Sequence, residues 1–159
     1  MLLTNKIKDS EIDSISKQIF WCIKSEQNLT DRTLKYIALM LKKSCFYVAK
    51  DRIGKICGFI AKERICENYY EVKCWYVNHD NRGSGLANQL FNRVVEGDNC
   101  RYLSSTFDNR IVEKLKTYHF KIIKLTDLPW RVGLAYIYTR NVSSILKHGF
   151  LSKSYLLLR

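Results

Sequence analysis

Proline is almost missing from this chain: Pro129 stands alone among 159 residues. Glycine is scarce too, with seven, and no Gly/Ser-rich stretch occurs, so no linker is indicated and residues 1–159 are expected to form one domain. Internal repeats and low-complexity tracts are absent. No 18 apolar residues run without interruption, which argues against a membrane-spanning helix and against a membrane partner. The opening MLLTNKIKDS holds no apolar stretch of secretory length, so the expected address is the cytoplasm. No Cys-x-x-Cys pair exists. The six cysteines, at 22, 45, 57, 66, 74 and 100, are widely and irregularly spaced, mostly inside apolar runs such as FWCI and KICGFI. A metal site needs convergent, paired ligands, so buried free thiols and no metal are expected.

Acidic residues are also few, 15 against 27 Lys and Arg, for a formal charge of +12. From Arg110 to Arg159 ten cations face two acids, Glu113 and Asp127, so this stretch carries +8 and the first 109 residues the remaining +4. Such a basic protein suits an anionic partner, namely a phosphorylated cofactor, a nucleic acid or an acidic protein; a merely solvated basic face is the plain alternative. A hydrophobic share of 47% supports a packed globular core.

Apolar spacing predicts a helix over 10–24, with Ile12, Ile15, Ile19 and Ile23 on one face and Ser10 and Asp13 as a capping box. A second helix is predicted over 31–43, capped by Thr30. Aromatic and β-branched runs at 45–50, 55–65 and 69–77, joined by short turns, predict a three-stranded antiparallel meander. A helix marked by Leu86, Leu90 and Val94 follows and stops near Gly97. Then come a strand at 101–107, parallel to the third meander strand, and a short helix capped by Asp108. Strands at 120–125 and 132–139 follow, and SYLLLR, 154–159, is a candidate edge strand. This order is an α/β (α+β) sandwich around a mixed central sheet of six to seven strands with about four helices.

Two of the seven glycines, Gly83 and Gly85, sit in NHDNRGSGLANQLF, between a strand and a helix. Helix N-termini present unpaired amides and the positive end of the helix dipole. Glycines let the backbone turn through positive φ and approach a ligand, and Arg82 adds a charged donor. The combination suits a pyrophosphate. It is neither a Walker loop, which needs Gly-Lys-Ser/Thr, nor the dinucleotide fingerprint, whose third glycine is Asn88 here.

CWYVNHDNRGSGLANQLFNRVVE resembles motif A of the GNAT (Gcn5-related N-acetyltransferase) superfamily, Arg/Gln-x-x-Gly-x-Gly/Ala, matched by Arg82-Gly83-Ser84-Gly85-Leu86-Ala87. The element order is similar to that family's as well. The resemblance implies a GNAT-like acyltransferase with acetyl-CoA as co-substrate, its pyrophosphate held by the amides of Gly83 to Ala87. It also implies that the backbone at Tyr76 and Val77 pairs with the pantetheine arm, and that a bulge there aims an N–H at the thioester oxygen. NRIVEKLKTYHF, Asn109 to Phe120, is similar to the family's closing pattern, with Asn109 in the CoA-contacting place. The usual acid, a Tyr, falls on Leu115 or Lys116, so Tyr118 becomes the candidate acid and Glu71 the candidate base; the base of some relatives falls on Ser104. The acceptor is expected to be anionic, aminoacyl-tRNA or another nucleic acid being one case, with Trp130, Tyr136 and Tyr138 as candidate stacking residues. A small amine acceptor stays open, as do the oligomeric state, a dimer included, and the alternative of a catalytically weak binding module on the same scaffold.

Overall fold

The computed structural model describes residues 1–26, 29, 32–96, 99–106, 108–139 and 155–159. They hold seven strands, β1 (Leu2–Thr4), β2 (Phe46–Lys50), β3 (Ile56–Cys66), β4 (Tyr69–Val77), β5 (Arg101–Thr106), β6 (Lys121–Ile123) and β7 (Tyr155–Leu158). Five α-helices accompany them: α1 (Asp9–Ser25), α2 (Leu34–Lys42), α3 (Leu86–Val95), α4 (Asn109–Thr117) and α5 (Trp130–Tyr138). The strand order β1-β2-β3-β4-β5-β7-β6 makes one mixed sheet, of the α/β class expected. The chain divides into two compact units, residues 1–62 with 72–98 and residues 63–71 with 99–159, and β3 and β4 pass through both.

In the first unit, α1 buries Ile12, Ile15, Ile19 and Ile23, the spacing of a single helical face. Each such side chain contributes about 1.5–3 kcal/mol by leaving water. They pack with Ile37, Met40 and Leu41 of α2 and with Phe46, Val48, Phe59 and Ala61 of β2 and β3. The helix starts without a side-chain cap, at Lys8; Ser10 and Asp13 lie inside it, and Asp9 and Glu11 serve the N-terminal end of its dipole instead. Thr33 caps α2 by accepting from Tyr36 N; Thr30 lies outside the described residues. β2 runs antiparallel to β1 and β3. Lys62 of β3 donates from Nζ to the carbonyl of Val94, in the last turn of α3, at 3.1 Å.

In the second unit, β4 and β5 are parallel, Tyr69↔Arg101 to Glu71↔Leu103, as expected. β7 lies between β5 and β6, antiparallel to both, so Tyr155–Leu158 of the expected edge strand form an interior one; Ser154 lies outside the described residues. The stretch 132–139 is helical, in α5, against the strand expected: Val132, Gly133 and Tyr136 are buried at helical spacing, with Leu128, Tyr69 and Leu103 around them. Tertiary packing overrides the β-propensity of Val, Ile and Tyr there. Tyr136 is thus a core residue, whereas Trp130 and Tyr138 are exposed. All six cysteines are free thiols, but only Cys57 is buried and the others are half-buried. Among the described residues no helix is long and apolar enough to cross a membrane. Gly97 and residues 140–154 are outside the described residues.

Candidate active site

The turn between β4 and α3 is held by its own short polar side chains. Asn78 Oδ1 accepts from Asn81 N at 3.2 Å and from Asn81 Nδ2 at 2.7 Å, closing a single 3-10 turn over His79–Asn81. Arg82 N donates to the His79 carbonyl at 3.1 Å. The Ser84 hydroxyl donates to the Asn81 carbonyl at 2.6 Å and accepts from Leu86 N at 3.4 Å, so it is spent on the turn itself. Gly83 and Gly85 have φ of +80° and +81°, and Gly85 is the N-cap of α3. A Cβ at either would meet nothing within 4 Å, so glycine is required for its dihedrals and the space beside the turn is open. Leu86 is buried and anchors the helix, while Arg82 to Gly85 are exposed. Among the described residues, the amides of Gly83, Gly85 and Ala87 have no protein acceptor. Three open donors at a helix N-terminus suit an anion.

Arg82 is clamped in place. Its Nη2 donates to Glu26 Oε1 at 2.6 Å and its Nε to the Val77 carbonyl at 3.1 Å. Glu26 lies just beyond α1, 56 positions earlier, so no local sequence pattern announced this partner. One of the acceptors expected for the pantetheine arm, the Val77 carbonyl, is therefore already engaged. Tyr76 turns its side chain inward: its ring stacks on Phe59 at 5.0 Å and 26°, and its hydroxyl lies beside the Cys22 thiol. Burial, then the Cys22 thiol beside it, pushes the phenol up to about 12, and burial pushes the Cys22 thiol up as well. Only the Tyr76 backbone is left for a ligand. Its carbonyl lies so close to β3 that a Cβ on Gly58 would come within 2.8 Å, which accounts for a glycine in mid-strand that the sequence reading passed over. Cys74 takes φ +52°, a left-handed residue inside β4, two residues before the Tyr76–Val77 stretch at which a bulge was expected. His79 is exposed beside Asp80.

The remaining candidates belong to the second unit. Asp108 caps α4 by accepting from Arg110 N at 2.8 Å; the Arg110 guanidinium holds its carboxyl below the usual carboxylate range. Asn109, the first residue of α4, is exposed. Tyr118 follows the helix, half-buried, with Lys114 Nζ 5.3 Å from its ring centroid; burial raises its phenol. Glu71 is buried within the sheet at 5% exposure, so it is not a solvated strand carboxylate. At the places where the family's tyrosine would fall, Leu115 is packed away and Lys116 pairs with Glu113 at 2.7 Å.

The model of the acetyltransferase (GNAT) domain matches residues 42–120, from the last residue of α2 to Phe120. Residues 42–120 of this chain are a GNAT domain. The matched stretch contains the glycine turn, Asn109 and Tyr118, and by family the GNAT chain is an acetyltransferase. Solved structures share its fold. Rv2747 from Mycobacterium tuberculosis, in complex with CoA and NLQ, has a TM-score of 0.75 at 16% identity, covering 99% of this chain and 98% of that one. The acetyltransferase of GNAT family from Staphylococcus aureus Mu50 has a TM-score of 0.68 at 18% identity, with coverages of 99% and 97%. N-acetylglutamate synthase from Neisseria gonorrhoeae, complexed with coenzyme A and N-acetyl-glutamate, gives 0.73 at 16% identity. There the GNAT chain is covered to 99% but spans only 34% of the synthase. No curated protein sequence matches the chain significantly.

Proposed function

We propose that this GNAT domain is an acetyl-CoA-dependent N-acetyltransferase whose acceptor amine is carried on an anionic molecule. The observation that carries the donor half is the set of open amides at Gly83, Gly85 and Ala87, beside Arg82. They face open space at the positive end of α3, where a diphosphate replaces missing acceptors. Ser84 and Leu86 shape the turn, and Asn109 is the further CoA contact that the family pattern assigns. The backbone at Tyr76 and Val77 receives the pantetheine arm as an added strand, with the Cys74 kink turning a neighbouring N–H toward the thioester oxygen. When bound, acetyl-CoA supplies the activated acyl group, and the chain's part is to orient it.

Acyl transfer needs a neutral amine and a proton for the leaving thiolate. Tyr118, whose raised phenol stays protonated through neutral pH, is the donor in this reading, and Glu71 the base. The +8 of residues 110–159 supports an anionic acceptor, an aminoacyl-tRNA or another nucleic acid being one form. An anionic amino acid is a smaller one, in keeping with the N-acetyl-glutamate bound by the gonococcal synthase. This reading takes residues 1–159 as one catalytic domain working in the cytoplasm, where acyl-CoA is available. A second reading, a binding module without turnover, is favoured by Leu115 and Lys116 standing where the family's tyrosine belongs.

Calorimetry with acetyl-CoA tests the donor half, and release of free CoA with glutamate, aminoacyl-tRNA or a polyamine tests the rest. Micromolar binding with CoA release on an anionic acceptor is expected. Binding without release under any acceptor supports the second reading, and no uptake at millimolar acetyl-CoA overturns both.

A further inference from the structure

Arg82 is the only Lys or Arg between Lys73 and Arg93, so the glycine turn itself carries one permanent positive charge. That charge is already answered. The turn's own acid, Asp80, is exposed and lies beside His79. The carboxylate on Arg82 comes instead from Glu26, whose Oε1 is 2.6 Å from Nη2. Nε donates to the Val77 carbonyl at 3.1 Å. The Nε–Nη2 edge of the guanidinium, one of the two edges that can grip a phosphate with paired N–H groups, is therefore in use at both atoms.

The pair is placed to yield. It is a single hydrogen-bonded contact between side chains 53% and 33% exposed, a class of ion pair that contributes little to stability. Glu26 stands just past the last turn of α1, and its N donates to the Ile23 carbonyl at 3.3 Å. The rest of the helix is fastened independently: Ile19 and Ile23 are buried, and Gln18 Oε1 accepts from Ile56 N at 3.2 Å. Parting from Arg82 frees Ser25 and Glu26 without unseating α1. A diphosphate carries more negative charge than one carboxylate. Besides the guanidinium, it also has the amides of Gly83, Gly85 and Ala87 to bind.

Resting on the reading of this turn as the diphosphate site, we infer that Glu26 is an internal competitor for the donor. In the empty domain its carboxylate occupies Arg82. Acetyl-CoA takes the guanidinium over, Glu26 lets go, and the end of α1 is released from the turn. The contact thus lowers the affinity for acetyl-CoA and makes the last residues of α1 respond to whether the diphosphate is in place. A tie that only held α1 to the turn would leave affinity unchanged. A carboxylate that merely repelled the diphosphate through space would act whether or not Arg82 were present.

Calorimetry with acetyl-CoA on the full chain, on Glu26→Gln, on Arg82→Gln and on the double variant separates these cases as a cycle. Glu26→Gln is expected to bind acetyl-CoA about 1.5- to 5-fold more tightly, Arg82→Gln to bind it more weakly, and the double variant to match Arg82→Gln. Hydrogen exchange on the unsubstituted chain, which depends on no variant folding, is expected to quicken at Ser25 and Glu26 when acetyl-CoA is added. Unchanged or weaker binding by Glu26→Gln, tightening that persists in the Arg82→Gln background, or unaltered exchange at Ser25 and Glu26 overturns the inference and leaves the donor reading intact. No uptake by the unsubstituted chain overturns the donor reading itself, and the inference with it.

Discussion

Gly54, Gly83 and Gly85 form a natural matched set. Their φ values are +82°, +80° and +81°, and a Cβ built on any of them meets no atom within 4 Å. Alanine at each position therefore costs folding energy only through its backbone, about 1–2 kcal/mol for a left-handed non-glycine residue. For a chain of this length that lowers the melting temperature by roughly 2–8 °C. Gly54 belongs to a different turn, in which Asp51 Oδ1 accepts from Ile53 N and Lys55 N at 2.9 Å each. Acetyl-CoA at a hundred times its Kd stabilises the folded state by about 2.7 kcal/mol, which corresponds to roughly 5–11 °C on the same scale. Gly54→Ala is expected to lose stability yet keep that ligand-induced rise in full. Gly83→Ala and Gly85→Ala lose similar stability and most of the rise, because the new methyl group enters the space proposed for the diphosphate. Thermal melts of the four proteins with and without acetyl-CoA decide the matter. Should Gly83→Ala and Gly85→Ala keep the full rise, or Gly54→Ala lose it equally, the glycine turn is not the diphosphate site.

Four further outcomes are expected. Glu26→Gln frees the Arg82 guanidinium from a half-exposed ion pair worth about 0.2–1 kcal/mol; calorimetry should show acetyl-CoA binding tighten about 1.5- to 5-fold, with a steeper dependence on salt. Tyr118→Phe should lower kcat by roughly 10²–10⁴ and leave the KM for acetyl-CoA unchanged, the ring still lying beside Lys114. Tyr76 holds its proton more tightly folded than unfolded, so its contribution is whole below the ordinary phenol pKa and is lost as pH rises toward about 12; Tyr76→Phe should flatten the decline of melting temperature measured between pH 9.5 and 11.5. Asp108→Ala removes a helix cap and should cost about 0.5–2 kcal/mol at neutral pH by urea denaturation. Because Arg110 depresses that carboxyl, the difference is present above the usual carboxylate range and shrinks as pH falls through the folded value.

The elements legible in the sequence were those whose signal is local. β4 runs over the very residues expected, Tyr69–Val77, because its aromatic and β-branched run ends at polar residues on both sides. Asp108 was recognisable as a cap because a short side chain before a helix can reach only the nearby amides. The glycine turn was legible too as a turn, since two glycines before an apolar helical stripe mark left-handed positions ahead of a helix. What escaped depends on distance or context. VGLAYIYT is apolar along most of its length, so neither period stands out, although Pro129 immediately before α5 was a readable start signal. Ser10 and Asp13 carry the chemistry of a capping box two residues too late, inside α1. β7 between β5 and β6, and Glu26 on Arg82, join residues that no short window contains.

The lysine of β3 that bonds the final turn of α3 has a consequence for the opposite end of that helix. A helix is a row of aligned peptide dipoles, and a cation at its negative pole and an anion at its positive pole stabilise the same polarisation. On the proposed reading Lys62 thus prepares the helix electrically for the donor, and the donor in turn tightens a segment already fastened at its far end. Occupancy would then be felt along the entire length of α3, as slower amide exchange from Gln89 to Val94 and not only beside the phosphates.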